Sequence, residues 1–251
     1  MSVITSAQNE KIKLIRSLGN KKARKSSGLY LVEGERSVFS APEKELREVF
    51  VSSDKEDKYA DKLSRLNTPV SVVGREIFER MSFTEATQGI LALCRIPGER
   101  EISGDIILVA DGVRDPGNLG TMVRSARAFG VGDIILTDCC DVFDPKAVRS
   151  TMGGVFGTNF IECTRARAVE ILKSNGFTPV VTDMEGENIY GWSPKGRLAL
   201  IVGSEARGVS EEFRTLPGIT VSIPMPGTAE SLNAAVAISI ALSWTAEKHS
   251  N

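Results

Sequence analysis

Three short stretches carry side chains that could do chemistry, each beside glycines that leave the backbone approachable. The first holds Asn118, Gly120 and Arg124, the second is Gly203-Ser204-Glu205, and the third runs from Ile223-Pro224-Met225-Pro226-Gly227 to Ser231-Leu232-Asn233. At helical spacing Gly120, Arg124 and Arg127 share one face. A glycine followed by arginines one and two turns on is what a helix presents when an anionic group must come close, although Arg127 reads as an ordinary solvated basic position. Gly203 permits close backbone approach, and Glu205 places a carboxylate just beyond an apolar run. The single histidine, His249, is third from the end of the chain, which argues against a histidine base or a histidine metal ligand as the centre of the chemistry.

The elements around these stretches are short apolar runs separated by helical segments. Ile106–Ala110, Ile134–Leu136, Val180–Val181, Leu198–Val202 and Thr220–Ile223 read as strands of a mostly parallel sheet covered on both faces. Ligands of such sheets bind beyond the carboxyl ends of the strands. The three polar stretches follow Ala110, Val202 and Ile223, where a ligand is expected. Asn118 is a candidate cap for a helix that Gly130 ends, with Leu119, Met122, Val123, Ala126 and Phe129 as its apolar stripe. Ser231 is a candidate cap for the last helix. Between Leu232 and Leu242 only Asn233 and Ser239 are polar, and four alanines are small, so that helix is expected to be buried with another backbone packed closely on it.

The first 95 residues read as a smaller α/β layer. A helix is expected over 5–18, capped by Thr5 or Ser6 and buried through Ile12, Ile15 and Leu18. Leu29–Val32, Val49–Val51, Val70–Val73 and Ile90–Cys94 read as strands, with helical stretches beginning near Arg36 and over Tyr59–Leu66 and Arg75–Met81. Residues 96–104 break the pattern. The expected division is 1–95, a linker at 96–104, and 105–251.

Composition is that of a soluble globular protein, with 41% hydrophobic and 25% charged residues, so neither a disordered nor a fibrous chain is expected. No apolar run reaches the length of a membrane span, and no apolar leader opens the chain. Cys94, Cys139, Cys140 and Cys163 show neither zinc-ligand spacing nor a disulfide framework, which fits a cytoplasmic protein without a metal. The net charge of −1 conceals an asymmetry: residues 1–25 hold seven basic side chains and one acidic. Such an arm could meet phosphates through Lys21, Lys22, Arg24 and Lys25, or be a solvated helix and linker.

The loop after Ala110 contains neither the dinucleotide Gly-x-Gly-x-x-Gly nor a phosphate-loop pattern. Taken together and in order, Asn118-x-Gly120-x-x-x-Arg124, Gly203-Ser204-Glu205 and Ile223-Pro224 through Ser231-Leu232-Asn233 closely resemble the SpoU/TrmH family of SPOUT RNA 2′-O-ribose methyltransferases. Asp144-Pro145-Lys146-Ala147-Val148-Arg149-Ser150-Thr151-Met152-Gly153 is similar to a segment many members carry. Leu29-Tyr30-Leu31-Val32-Glu33-Gly34 resembles the substrate-binding domain of members that act on ribosomal RNA, a ribosomal-protein-like α/β RNA binder.

The resemblance implies a trefoil-knotted, mostly parallel α/β domain, a homodimer packed through it, and S-adenosylmethionine as methyl donor without a metal. It implies that Gly203, Ile223, Met225 and Leu232 hold the donor. Arg124, Asn118, Glu205, Ser231 and Asn233 would then form the catalytic side. Arg124 is implied either as general base, against the ordinary guanidinium pKa above about 12, or as a charge that stabilises the developing alkoxide. Arg207 is a further RNA contact in this reading. Large-subunit (23S-type) ribosomal RNA is the implied substrate, with transfer RNA, or a catalytically silent RNA-binding or ribosome-assembly protein on the same scaffold, as the alternatives. Tyr30 and Phe39 could stack on bases or belong to the core, which leaves shape and phosphate contacts as the main source of RNA affinity.

Overall fold

A computed structural model describes residues 3–249. The chain packs as two units, one built from residues up to Gly98 together with Asp141–Phe156, the other from Glu99–Cys140 together with Gly157 onward.

In the first unit, α1 (Glu10–Ser17) and α2 (Lys21–Ser27) precede β1 (Leu29–Glu33), α3 (Glu35–Ser40), β2 (Leu46–Ser52), α4 (Glu56–Leu63), β3 (Val70–Val73), α5 (Arg75–Met81) and β4 (Ile90–Arg95). The sheet order is β1-β4-β2-β3, with β4 antiparallel to both its neighbours and β2 parallel to β3. Ile12, Ile15 and Leu18 are buried, as the stripe required. The cap differs from expectation: Asn9, not Thr5 or Ser6, accepts the Lys11 backbone N–H at 2.9 Å and starts the helix. Ile4 is held extended by a bridge to Val73, so no helix can begin so early.

Lys21–Ser27 is likewise a helix and not a loose basic arm. Asn20 caps it, and Gly28 closes it in the left-handed conformation with φ 66°. Within it Arg24 is 2% exposed. Its Nε and Nη2 donate to Asp141 at 2.9 and 2.7 Å, and its Nη1 donates to the Leu18 carbonyl. Arg24 is therefore a core ion-pair residue and not a phosphate contact, a correction to the sequence reading. Tyr30 is also core, fully buried with its ring 4.9 Å from that of Phe143.

The second unit holds β5 (Ile106–Asp111), α6 (Pro116–Ala128) and β6 (Asp133–Thr137). The chain then makes the excursion containing α7 (Pro145–Ser150), whose Ala147 and Val148 bury in the first unit beside β1. It returns as β7 (Asn159–Cys163), α8 (Arg165–Ser174), β8 (Thr178–Asn188), β9 (Leu198–Val202), α9 (Glu211–Arg214), β10 (Ile219–Ser222) and α10 (Ala234–His249). Six strands lie in the order β10-β8-β9-β5-β6-β7, every pair parallel and flanked by helices. The five expected runs are all strands. The sixth, β7, escapes a search for continuous apolar runs because it is an edge strand whose Asn159 and Glu162 interrupt the pattern.

Among the described residues no helix is long and apolar enough to cross a membrane. The expected burial of the last helix is only partly met. Ala235, Ile238, Ala241 and Leu242 face the core, whereas Val236 is 46% exposed on the other side.

Candidate active site

The carboxyl ends of β5 and β9 and the start of α10 bring three side chains together. Asp115 caps α6 by accepting the Asn118 backbone N–H at 2.8 Å, and Pro116 presets the first turn. Asn118 is thus one turn inside the helix and not its cap, which frees its side-chain amide. That amide donates to Glu205 Oε1. Asn233 Nδ2 lies 3.1 Å from the same carboxylate oxygen and 3.1 Å from Asn118 Oδ1. Asn233 Oδ1 meanwhile accepts the Ala235 and Val236 backbone N–H groups. The cap of α10 is therefore Asn233, not Ser231. An amide has both a donor and an acceptor, so Asn233 can close the helix end and hold Glu205 at once, where a serine hydroxyl two residues earlier reaches neither.

Glu205 is presented by a tight loop. A Cβ at Gly203 would sit 1.9 Å from the Gly208 carbonyl carbon, closer than any side chain permits. The glycine is required by the chain's own fold-back, in which the Gly208 N–H donates to the Ser204 carbonyl at 2.8 Å. Behind the loop lies Asp111, 2% exposed at the end of β5. Its Oδ1 accepts from Thr137 Oγ1 at 2.9 Å and Arg165 Nε at 2.7 Å, and its Oδ2 accepts the Ser210 backbone N–H at 2.8 Å. One buried carboxylate so joins two strand ends, α8 and the return of the Glu205 loop. The same carboxylate favours the charged guanidinium of Arg165 and raises its pKa.

Sequence reasoning missed Asp111, Arg165 and Ser210. Asp111 was visible as a carboxylate at a strand end. The other two reach it across 54 and 99 positions, and no local spacing signals that.

Two cavities share this loop. One, of about 440 Å³, is lined by Gly203, Ile223, Met225 and Leu232, with Val202, Val221 and Ala237 adding apolar wall and Ser231, Asp183 and Glu185 adding polar groups. The other, of about 480 Å³, is lined by Asn118, Glu205, Asp111, Arg114, Arg165 and Arg207 among others. Arg207 borders both. Arg124 is elsewhere: it is exposed on α6 in a groove with Val236, Ile240 and Trp244 of α10, and has no hydrogen bond or ion pair among the described residues. Lys21, Lys22 and Lys25 belong to α2 of the first unit. Burial pushes the Cys139 thiol up to about 12, so it remains protonated and is no nucleophile.

The apolar, glycine-walled cavity and the carboxylate–amide cluster lie beyond the carboxyl edge of a parallel α/β sheet, which is where sheets of this kind bind ligands. Residues 105–243 match the SpoU rRNA Methylase family, and residues 9–92 match the MRM3-like substrate binding domain. The chain belongs to the SpoU family of RNA methylases. It is 33% identical over 246 residues to the 23S rRNA (guanosine(2553)-2′-O)-methyltransferase RlmP of Bacillus subtilis, covering 96% of this chain and 97% of that one. Its fold is similar to the crystal structure of an AdoMet-bound rRNA methyltransferase from Sinorhizobium meliloti, with a TM-score of 0.85, 26% identity, and coverage of 98% and 97%. The A. aeolicus TrmH/SpoU tRNA modifying enzyme matches only 58% of this chain and 76% of its own, with a TM-score of 0.51 and 26% identity.

Proposed function

We propose that the protein transfers a methyl group from S-adenosylmethionine to the 2′-hydroxyl of a ribose in large-subunit ribosomal RNA. The observation that carries this is the convergence of Gly203, Ile223, Met225 and Leu232 on one cavity whose shared loop presents Glu205 to Asn118 and Asn233. Preference for ribosomal over transfer RNA is supported by coverage: the Bacillus subtilis 23S rRNA enzyme aligns with 96% of this chain, whereas the A. aeolicus tRNA modifying enzyme aligns with 58% of it.

The residues fit the donor. Apolar walls from Ile223, Met225, Leu232 and Val221 suit an adenine ring, and the missing side chain at Gly203 leaves backbone groups accessible. Glu185 offers a carboxylate for hydroxyl or ammonium groups, whereas Asp183 is paired with Arg214. The donor, when bound, supplies an electrophilic methyl on a sulfonium centre. The chain's own task is alignment of the ribose oxygen and management of its proton. Glu205, with Oε1 held by two amides, is a fixed acceptor at the cavity mouth, and Ser231 stands on the cavity wall. Arg124 takes the ribose proton or stabilises the alkoxide as it forms.

Because Arg124 and the Glu205 cluster lie in different grooves of one chain, the proposed enzyme is a homodimer in which the apolar α6–α10 face is the contact and brings Arg124 to a site. Exposed Val236 on that face supports this. The catalytic domain is proposed to be trefoil-knotted, with the final helix passing through a loop of the chain as the family resemblance implies, and the protein to work in the cytoplasm without a metal.

The test is incubation of the purified protein with radiolabelled S-adenosylmethionine and unmodified ribosomal RNA. Label in alkali-resistant dinucleotides, which a 2′-O-methyl group creates, is the expected result. Arg124→Ala should lower turnover by about 100-fold or more while donor binding, measured by calorimetry, stays within about twofold. Label confined to bases, or near-normal turnover of the variant, would overturn the assignment.

A further inference from the structure

The Asp144–Gly153 motif belongs to the methylase match in sequence, yet it packs in the substrate-binding unit. It is anchored there by the buried Arg24–Asp141 pair, by Phe143 against Tyr30, and by buried Ala147 and Val148. Its far end reaches a cavity of about 690 Å³ whose other walls come from the turn after β1, α3, Lys62 of α4 and the 84–88 loop. We infer that this cavity is a subsite for one unpaired RNA nucleotide, with Phe39 and Met152 against the base and Arg36 and Arg149 against phosphate.

The charges of the cavity decide its sign. Glu33 is fully engaged inside the fold: its Oε1 accepts the Phe83 N–H at 2.7 Å, and its Oε2 accepts from Ser82 Oγ at 2.6 Å and Thr84 Oγ1 at 3.1 Å. Glu35 is neutralised by Lys62 at 2.6 Å and Lys58 at 3.2 Å. The arginines are left over. Arg36 has no hydrogen bond or ion pair among the described residues, and Arg149 has only a long bond, 3.4 Å, to the Phe83 carbonyl. Glu33 keeps its charge, but Arg36, Arg149, Lys58 and Lys62 set four positive side chains against the two carboxylates Glu33 and Glu35 at the cavity and its rim, a positive excess that suits the backbone of a nucleic acid.

The apolar and amide groups point the same way. Met152 is 42% exposed and holds φ 51°, a left-handed conformation that a methionine rarely adopts. Lys62 lies 5.3 Å from the centroid of the Phe39 ring, and Tyr59 packs at 5.9 Å. Gln88 accepts the Glu35 N–H through Oε1 at 2.8 Å, which fixes the amide and leaves Nε2 without a partner among the described residues. A fixed amide donor beside aromatic and thioether surface is what a splayed base needs for stacking and edge recognition.

This subsite deepens the ribosomal RNA reading and rests on it, but binding alone tests it. The probe is a fluorescein-labelled, unstructured mixed-sequence RNA decamer, followed by anisotropy across a salt series with the full-length protein. Arg36→Gln with Arg149→Gln should weaken binding about tenfold and flatten the slope of log affinity against log salt by about 1 to 2. Phe39→Leu with Met152→Asn, the latter chosen because asparagine tolerates left-handed backbone, should weaken binding about tenfold with the slope unchanged. Photocrosslinking of a 4-thiouridine decamer should fall on peptides containing Phe39 or Met152. Unchanged affinity and slope in both double variants, or crosslinks confined to other surfaces, would overturn the subsite. Methyl transfer is scored separately on ribosomal RNA: should it fail while the decamer results hold, the subsite stands and the enzymatic reading falls.

Discussion

Asp111 and Arg24 show how single buried charges organise the two units. Asp111 ties the return of the Glu205 loop to two strand ends and α8. Ser210→Pro removes the N–H that Asp111 accepts together with the hydroxyl, and the φ of −68° at Ser210 already suits proline. This variant is expected to lower kcat about tenfold with little change in melting temperature, whereas Ser210→Ala, which keeps the N–H, retains activity. Equal kinetics for the two would show that the bond does not position Glu205. Arg24→Met leaves the Asp141 carboxylate without its partner inside the first unit, and should cost about 3 kcal/mol or more in denaturant unfolding. Gly203, Glu205 and Ile223 stand within three positions of a strand end, whereas Asn118 and Asn233 come seven and eleven positions after theirs and were singled out by side-chain type and spacing. Their caps were misassigned because Asp115 and Asn118, or Ser231 and Asn233, are all competent capping residues, and only tertiary partners decide between them.

At the level of elements, the apolar runs marked five of the six strands of the catalytic sheet, and the helical stripes marked α1 and α6, because burial on one face leaves a period in the sequence. The excursion through α7 left no such trace. Its helix has ordinary periodicity, and nothing local says that Arg24, more than a hundred positions earlier, would receive it. Two loops carry sharp consequences. Gly203→Ala would force a Cβ into the Gly208 backbone. It should displace the loop, reduce turnover about 100-fold, and weaken donor binding in calorimetry. Asn233→Ala removes the cap of α10 and the ties to Asn118 of α6 and to Glu205, and should cost about 1 kcal/mol in thermal unfolding as well as activity. An unaffected turnover in Asn233→Ala would separate the cap from the site.

For the molecule as a whole, the proposed dimer contact on the outward side of α10 would link assembly to chemistry. Val236→Glu places a charge in the proposed contact, so the variant should sediment as a monomer and lose methylation while still binding donor. A monomeric variant with full activity would contradict the role given to the dimer and to Arg124 within it. The combination of a substrate-binding unit with a SpoU catalytic unit makes large-subunit ribosomal RNA the proposed target. The most direct test is mapping of 2′-O-methyl groups across all ribosomal and transfer RNA from a strain lacking the gene. One ribose methyl in large-subunit ribosomal RNA should disappear, return with the unaltered gene, and stay absent with Arg124→Ala. An unchanged large-subunit map, or a mark lost from transfer RNA instead, would contradict the account.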